Sequence, residues 1–188
     1  MTKEKEPMDR SELARNIYHR AYLTGEFKLR SGQTSHEYFD KYQFESLPWL
    51  LEGIVTHLKQ MIFDKNLEQG DLILAGLETG GIPLAVMLSK ELEVPCVFVR
   101  KKAKDYGTCK IAEGVPIKGK EVLVVEDVVT TGGQIEVSVK DLREMGALVN
   151  NVICVIDREQ GGMLNLEKQD LRLHPLFTMA EIKTIVGV

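Results

Sequence analysis

Four short apolar runs constrain the fold of this 188-residue chain more than any other feature. Each run is nearly continuous rather than alternating, which is typical of strands buried on both faces of a parallel sheet. The runs cover residues 72–75, 96–99, 122–125 and 152–156. Segments with helical periodicity separate them, so we expect an α/β sheet with right-handed crossovers.

Helical spacing of apolar side chains predicts the helices of this sheet. Apolar residues between positions 47 and 62 predict a long helix that ends near residue 64. Ser46 is its expected cap, and Pro48 is tolerated in its first turn. Two further helices are expected over residues 82–93 and 134–145.

The two ends of the chain are less regular. Asp9 followed by Glu12 resembles a capping box that opens a helix to about residue 22. Residues 27–43 alternate loosely and predict a short hairpin. Beyond residue 161 we expect a helix, a short strand and a last helix.

The composition excludes several classes of protein. Lysine and arginine number 24 against 28 acidic residues, a formal net charge of −4. This argues against a general nucleic-acid binder, because such proteins usually carry a basic excess. Three cysteines without close pairing form no disulfide framework. No apolar run reaches the roughly 18–20 residues of a membrane span, and the N-terminus has no secretory signal, so we expect a single cytoplasmic domain over residues 1–188.

Polar clusters follow all four predicted strands at the point where each strand ends. They are residues 78–81, 100–102, 126–127 and 157–158. Ligands of open α/β sheets bind beyond the carboxyl ends of the strands, so we expect the four clusters to meet. Their coincidence indicates a site more strongly than any one cluster does.

The segment over residues 122–134 predicts an anion site. A strand delivers Glu126 and Asp127, and residues 130–133 (Thr-Thr-Gly-Gly) then open a helix. Backbone N–H groups at a helix N-terminus, with glycines that permit close approach, form a phosphate cradle. Two acids beside it suit a ligand that also has hydroxyl groups, such as a ribose 5-phosphate, and they would favour positive charge on the sugar ring. The alternative is a capped helix with solvated acids. The patterns of a Walker A loop and of a dinucleotide fingerprint are absent from the sequence.

A basic segment follows the second predicted strand. Arg100, Lys101, Lys102 and Lys104 crowd together in an otherwise acidic chain. Like charges repel, so we expect an anionic ligand nearby. The polar, aperiodic residues from about 101 to 114 predict a flexible lid, which would neutralise a diphosphate leaving group and exclude water. The alternative is a solvated basic loop.

Five blocks of sequence together resemble one enzyme family. Residues 122–134 are similar to the phosphoribosyl-diphosphate (PRPP) motif of type I phosphoribosyltransferases. Four other blocks are similar to parts of orotate phosphoribosyltransferases, in family order: the hood (27–40), the diphosphate loop (76–83), the mobile catalytic loop (99–107) and the base-binding segment (156–162). The resemblance implies a type I phosphoribosyltransferase-like α/β fold, a central and mainly parallel sheet flanked by helices, with a small N-terminal hood at about residues 20–45.

The resemblance also implies a reaction. Members of the family transfer ribose 5-phosphate from PRPP to orotate, which gives orotidine 5′-monophosphate and diphosphate in pyrimidine (UMP) biosynthesis. By resemblance, Lys104, Asp127 and Arg100 are the catalytic residues. The residues expected to bind PRPP are Thr79, Gly80, Arg100, Lys101, Lys104, Tyr106, Glu126, Asp127, Val128, Val129, Thr130, Thr131, Gly132, Gly133 and Gln134.

Arg158 is the candidate for substrate specificity. Its guanidinium offers a planar fork suited to a carboxylate or a uracil-like edge, and the resemblance implies that it binds orotate. Further orotate contacts expected from the resemblance are Thr130, Arg30, Tyr38 and Phe39. The alternatives are that Arg158 pairs with Asp157 or Glu159, and that the two aromatic residues belong to the core.

The expected partners are small molecules. Mg²⁺ prefers substrate phosphates and water to a full protein cage, so we expect it to arrive with PRPP and predict no dedicated metal site. The family shares active sites across a homodimer, so the resemblance implies a homodimer, without a nucleic-acid or membrane partner.

Two positions depart from the family pattern. Tyr106 stands where His is usual and cannot be a cation near neutral pH, and Gly80 stands where some members have Lys, which leaves backbone N–H groups to bind the diphosphate.

Two other functions stay open at this stage. The hood segment and Arg158 speak against a transferase of the same fold for a purine or another base, and a substrate panel would decide. A non-enzymatic regulator that senses PRPP would need a nucleic-acid-binding surface, which the net charge and the short segment 1–26 disfavour. A gel-shift assay against nucleic acid would discriminate this case.

Overall fold

The computed structural model of the protein describes residues 8–28, 32, 34–102 and 111–188. The helices in these ranges are α1 (Arg10–Ala21), α2 (Tyr42–Glu45), α3 (Pro48–Asp64), α4 (Gly81–Leu92), α5 (Gly133–Glu144), α6 (Gly162–Glu167) and α7 (Met179–Val186). The strands are β1 (Tyr22–Lys28), β2 (Thr34–Phe39), β3 (Ile73–Leu77), β4 (Cys96–Val99), β5 (Ala112–Gly114), β6 (Glu121–Val129), β7 (Leu148–Asp157) and β8 (Arg172–Thr178).

A six-stranded sheet organises the molecule in the order β5-β4-β3-β6-β7-β8. Its strands are parallel except β5, which is antiparallel to β4 at one edge. Helices cover both faces: α1, α3, α4 and α7 bury one apolar cluster, while α5 and α6 bury the other. Coverage of both faces explains why the strands are continuously apolar. The predicted α/β class and the mainly parallel sheet are confirmed.

The hood is a separate two-stranded antiparallel sheet of β1 and β2. A hairpin was expected here, but over residues 27–43, and the structure starts it at Tyr22. The exposed residues Thr24, Gly25 and Glu26 carry no alternating pattern, and a register shift lies between Thr24 and Phe27. The ring of Phe27 stacks on Tyr38 of β2 with centroids 5.4 Å apart.

A side-chain cap begins α1 but not α3. Asp9 caps α1 by accepting a hydrogen bond from the Glu12 N–H at 2.8 Å, as expected. The prediction that Ser46 caps α3 is wrong, because the N-cap is Leu47 without a side-chain hydrogen bond. Ser46 instead ends the short helix α2. None of the described helices combines the length and apolar character that crossing a bilayer requires.

One strand extends further than its apolar run, and another was not expected. β6 continues through Glu126 and Asp127 to Val129, so both acids lie within the strand rather than after it. Backbone pairing with β7 carries the strand on, up to the pair of Val129 with Asp157. At the sheet edge, β5 occupies residues that were predicted to be part of the lid. The lid prediction is therefore wrong for 112–114, which pair with β4.

Candidate active site

The carboxyl ends of four parallel strands meet at one edge of the sheet. The Glu78 N–H donates to the Val99 carbonyl at 2.8 Å, which joins the segments after β3 and β4. The Lys101 N–H donates to Oε1 of Glu78 at 2.9 Å. The Arg158 N–H donates to the Val129 carbonyl at 2.9 Å, which joins the ends of β6 and β7. The four polar clusters expected to converge are therefore neighbours.

An open helix N-terminus lies at this edge between β6 and α5. Gly132 adopts a φ of +81°, a left-handed conformation that favours glycine. Thr131, Gly133 and Gln134 are exposed there, whereas Thr130 is half-buried. Nδ2 of Asn165 donates to the Thr131 carbonyl at 3.0 Å and fixes the turn from below. Exposed N–H groups and the positive end of the α5 dipole suit this turn to a phosphate.

The turn after β3 offers backbone rather than side chains to a ligand. Thr79 is exposed and Gly80 is buried. A Cβ built on Gly80 would overlap the Asp127 carboxylate and would lie 2.6 Å from Oε1 of Glu45. A lysine at position 80 would therefore not fit this packing. The expectation that N–H groups serve at position 80 agrees with this geometry.

An acidic cluster lies directly beneath that turn. Asp127 has no exposed surface, and its Oδ2 is 2.5 Å from Nζ of Lys41. Its Oδ1 accepts a hydrogen bond from the Val128 N–H at 2.5 Å. Glu45 of α2 is also buried, and its Oε1 has no hydrogen-bond partner within the described part of the chain. Glu126 is half-buried beside them.

Protons are shared unequally within this cluster. Burial and the neighbouring Asp127 raise the pKa of Glu45 to about 9, and the same two causes raise the pKa of Glu126 well above its usual range. Burial alone would raise the pKa of Asp127, but hydrogen bonds from Glu126 and Glu45 and the charge of Lys41 lower it. Two carboxyl groups can hydrogen-bond only if one keeps its proton. The directions of these pKa shifts make Asp127 the member of the cluster that loses its proton most readily.

A cavity of about 140 Å³ separates the hood from the core. Its size is comparable to that of cavities that accept one six-membered ring. Its walls combine aromatic rings with charged groups from β2, β7 and α7. The residues that line it are Tyr18, Tyr22, Glu37, Tyr38, Phe39, Arg158, Met179 and Lys183. The structure thus brings Arg158, Tyr38 and Phe39 together, as predicted.

The acidic sequence neighbours of Arg158 accept hydrogen bonds from other groups in the described part of the chain. Nε of Arg158 is buried and has no hydrogen-bond partner among the residues that the structure describes. Asp157 accepts a bond from the Glu159 N–H at 2.9 Å, and Glu159 accepts one from the Ala180 N–H at 2.8 Å. Both carboxylates that were alternative partners of Arg158 are therefore engaged elsewhere. A buried donor without a partner is costly and indicates a missing acceptor.

The hood wall of the cavity is a hydrogen-bonded pair. A hydrogen bond with Glu37, together with burial and the charge of Glu37, raises the pKa of Tyr22 to about 12. Tyr22 also stacks on Tyr18 of α1, with ring centroids 4.8 Å apart. These contacts attach the base of the hood to α1 and fix the width of the cavity.

Comparison with known proteins identifies the family of this chain. Residues 50–173 match the phosphoribosyl transferase domain. An orotate phosphoribosyltransferase of a Nocardioides species is 46% identical over 160 residues, which cover 85% of this chain and 87% of the relative. One from Pyrococcus horikoshii is 40% identical over 164 residues, 87% of each chain. The crystal structure of the Aeropyrum pernix enzyme has a TM-score of 0.77 at 30% identity and covers 94% of this chain and 99% of that one. The chain belongs to the orotate phosphoribosyltransferase family.

Not every residue expected to act in this family is described. Arg30, Lys104 and Tyr106 lie outside the described residues, so their roles stay predictions. Arg100 is half-buried, and its N–H donates to the Ile111 carbonyl at 2.8 Å. Lys101 is exposed at the start of the basic segment. Within the described residues, no group of three or more His, Cys, Asp or Glu side chains is placed to hold a metal ion.

Sequence reasoning missed several residues of the site. Lys41 and Glu45 lie in a short polar segment with no strand or helix pattern of its own, and nothing in it points to Asp127. Lys183 comes from the last helix, and Glu37 from a strand that reads as exposed. One signal in the sequence could have identified one of them. Lys41 directly follows the hood segment that resembles the family.

Gly80→Ala is expected to destabilise the protein by about 1–3 kcal/mol, because its methyl group would displace the buried Asp127 carboxylate. The control is Gly53→Ala in α3, whose Cβ would meet Leu13 Cδ1 at an ordinary 3.4 Å. The free energy of unfolding of Gly53→Ala should equal that of the wild type or exceed it by up to about 1 kcal/mol. Urea unfolding measures both. Equal stability of Gly80→Ala and the wild type would refute the packing described above.

Glu45→Gln should flatten the dependence of stability on pH. The folded pKa of Glu45 is about 9 against an ordinary 4.5, so the folded protein holds this proton more tightly than the unfolded chain. Stability is therefore lost as pH rises between about 5 and 9, and glutamine removes this titration. Urea unfolding across that range tests it, with the exposed Glu91→Gln as control. An unchanged slope in Glu45→Gln would show that Glu45 is ionised in the folded protein.

Proposed function

We propose that this protein transfers ribose 5-phosphate from PRPP to a ring nitrogen of orotate. The products are orotidine 5′-monophosphate and diphosphate. The observation that carries the proposal is one sheet edge that joins an open phosphate cradle, an acidic pair and a ring-sized cavity, where the buried Nε of Arg158 has no partner among the described residues. The bond to diphosphate breaks as the ribose gains positive charge, so positioning and charge stabilisation supply the catalysis rather than a covalent nucleophile.

Each part of PRPP has a matching group at this edge. Residues 130–134 would bind the 5′-phosphate through N–H groups and hydroxyls, with residues 128–129 as the strand that leads to them. Glu126 is half-buried and open to the ribose hydroxyls. Asp127 lies behind it without exposed surface, and direct contact between Asp127 and the ribose stays a prediction.

The diphosphate would lie between the turn after β3 and the basic segment. Thr79 and the N–H of Gly80 face it from one side. Arg100, Lys101 and Lys104 are proposed to neutralise the leaving group from the other, and the Tyr106 hydroxyl to bind a phosphate oxygen. Charge stabilisation of this kind acts where charge develops in the transition state.

Mg²⁺ is proposed to enter with PRPP and to neutralise part of the diphosphate charge. Mg²⁺ takes oxygen ligands and usually keeps several waters. The phosphate and ribose oxygens of PRPP, together with water, would supply these ligands. The protein itself then binds and orients the ribose and the phosphates. The cytoplasm is the proposed compartment for this chemistry.

Orotate is favoured over a purine by the charges of the cavity. Orotate carries a carboxylate, and the cavity presents both the Arg158 guanidinium and the Lys183 ammonium. A guanidinium binds a carboxylate through two parallel N–H···O bonds. A neutral purine would leave the buried Nε of Arg158 unsatisfied.

Arg158→Ala should lower kcat/KM for orotate by about 100-fold, because it removes a buried charged hydrogen-bond donor. Loss of orotate absorbance with PRPP and Mg²⁺ present measures the rate. Arg172→Ala is the control, since Arg172 is an exposed arginine at the opposite end of the strands. If the protein consumes adenine or hypoxanthine but not orotate, its substrate is a purine and the orotate assignment is wrong. If the protein binds PRPP without turnover of any base and also shifts nucleic acid in a gel, the result would favour a non-enzymatic regulator that senses PRPP.

A homodimer with shared sites makes a quantitative prediction. Lys104→Ala and Asp127→Asn are each expected to be nearly inactive. If Lys104 reaches into the neighbouring site, every mixed dimer contains one site with both residues intact. Unfolding and refolding an equal mixture should then restore about a quarter of the wild-type activity, because half of the symmetric dimers are mixed. No recovery, with mixed dimers verified by mass spectrometry, would place Lys104 in the site of its own subunit.

A further inference from the structure

Lys41 reaches the PRPP motif from outside it. The residue directly follows Asp40 at the end of the hood and precedes α2 as its N-cap. Its Nζ lies 2.5 Å from Oδ2 of Asp127 and 5.4 Å from the centre of the Tyr42 ring. The hood that forms one wall of the base cavity therefore also supplies a cation to the sugar end of the site.

The pair differs from the surface ion pairs of the same protein. The Lys41 side chain is 30% exposed while that of Asp127 is 0% exposed. Lys59 is similarly exposed at 33%, but its partner Glu91 is 43% exposed. An exposed carboxylate is hydrated without its lysine, so such a pair contributes little. A fully buried carboxylate that loses its cation is left without compensation.

Three carboxyl groups surround this single ammonium. Glu126 precedes Asp127 in β6, and Glu45 of α2 is buried close to the Asp127 carboxylate beneath Gly80. The charge of Asp40 also raises the pKa of Glu45, and Cys154 of β7 pairs in register with Glu126. Lys41 is the basic side chain paired with Asp127 in the described ranges. Without it, the cluster would take up a further proton or its carboxyl groups would separate.

Position 80 leaves no room for another cation on that side. A side chain there would overlap the Asp127 carboxylate. The exposed Lys101 is tied by its backbone N–H to Glu78, on the outer side of the turn. Among the described residues, the compensating charge for Asp127 comes from Lys41, on the hood side.

We propose that Lys41 is a positioning residue for PRPP, which keeps Asp127 ionised and oriented and thereby sets the Glu126–Asp127 pair that receives the ribose. This proposal rests on the proposed function of the same site. Lys41 acts through Asp127 and the backbone of β6, whose Val128 N–H bonds to that carboxylate. Because Lys41 is covalently continuous with Tyr38 and Phe39, it also connects the base cavity with the ribose site.

Lys41→Met keeps the length of the side chain and removes its charge. Its kcat/KM for PRPP should fall by about 100-fold, as expected when a reacting group is misplaced, while the KM for orotate changes much less. The acid limb of the pH profile of kcat/KM for PRPP should move to higher pH, because Asp127 then protonates more readily. Lys41→Arg should restore most of the activity and the wild-type limb. Lys59→Met is the matched control and should leave both kcat/KM for PRPP and the acid limb of its pH profile unchanged.

A purely structural role gives a different result. Lys41→Met with a lower unfolding temperature, but with kcat/KM for PRPP and the acid limb unchanged, would overturn the proposal. If Lys41→Met does not fold, the double variant Lys41→Met/Asp127→Asn removes both charges and should fold. The proposal then requires weak binding of PRPP with Mg²⁺ by calorimetry, and wild-type affinity would overturn it.

The calorimetric measurement also separates this proposal from the proposed function. Wild-type protein that binds PRPP with Mg²⁺ but does not consume orotate would refute the orotate assignment, and weaker PRPP binding by Lys41→Met would still support Lys41. Wild-type protein that consumes orotate together with an equally active Lys41→Met would refute the Lys41 role alone. Wild-type protein that binds no PRPP would refute both.

Discussion

The parallel alignment of β3, β4, β6 and β7 is the constraint on which the rest of this structure depends. Strands that run the same way place all their carboxyl ends at one edge, and helices must cover both faces of such a sheet. The interior is thereby committed to apolar side chains, and polar chemistry is confined to that edge. Hydrogen bonds between the segments that follow the strands, such as that of Lys101 with Glu78, then connect the turn after β3 with the basic segment.

The second constraint is the cost of a buried carboxylate. Asp127 lies inside β6 with no exposed surface, where an ionised group needs a cation and hydrogen bonds. Lys41 and Glu45 meet that need from the segment that follows the hood. The hood is thus attached to the core by charge as well as by aromatic packing. Under the proposed function, the same attachment would lie between the proposed positions of the base and of the ribose.

The sequence predicted most of the frame and part of the site. Continuous apolar runs identified the inner strands, and the polar residues after them located the functional edge. The short strand β5 was missed because three residues carry no period. The extension of β6 through Glu126 and Asp127 was missed because two adjacent acids end an apolar pattern. What stabilises them there is Lys41, a residue distant in sequence, and a pairing of that kind has no local signature.

The site residues divide in the same way. Arg158, Tyr38 and Phe39 were expected at the base position, and the structure places all three on one cavity. Lys183 on the last helix was not expected, since only the packing of α7 against the sheet and α1 brings it there. The sequence did predict that Gly132, which is left-handed in the structure, lies in the turn that opens α5. The overlap that forbids a side chain at Gly80 becomes visible only when β3 and β6 lie side by side.

The most direct test of this account is hydrogen–deuterium exchange with PRPP and Mg²⁺, before and after addition of orotate. The account predicts that PRPP slows exchange at residues 78–81 and 130–134, and that orotate then adds protection at residues 37–39 and near residue 158. The opposite edge of the sheet, at residues 65–72 and 170–174, should stay unchanged. Protection centred on that opposite edge, or none at the carboxyl ends of the strands, would contradict the account.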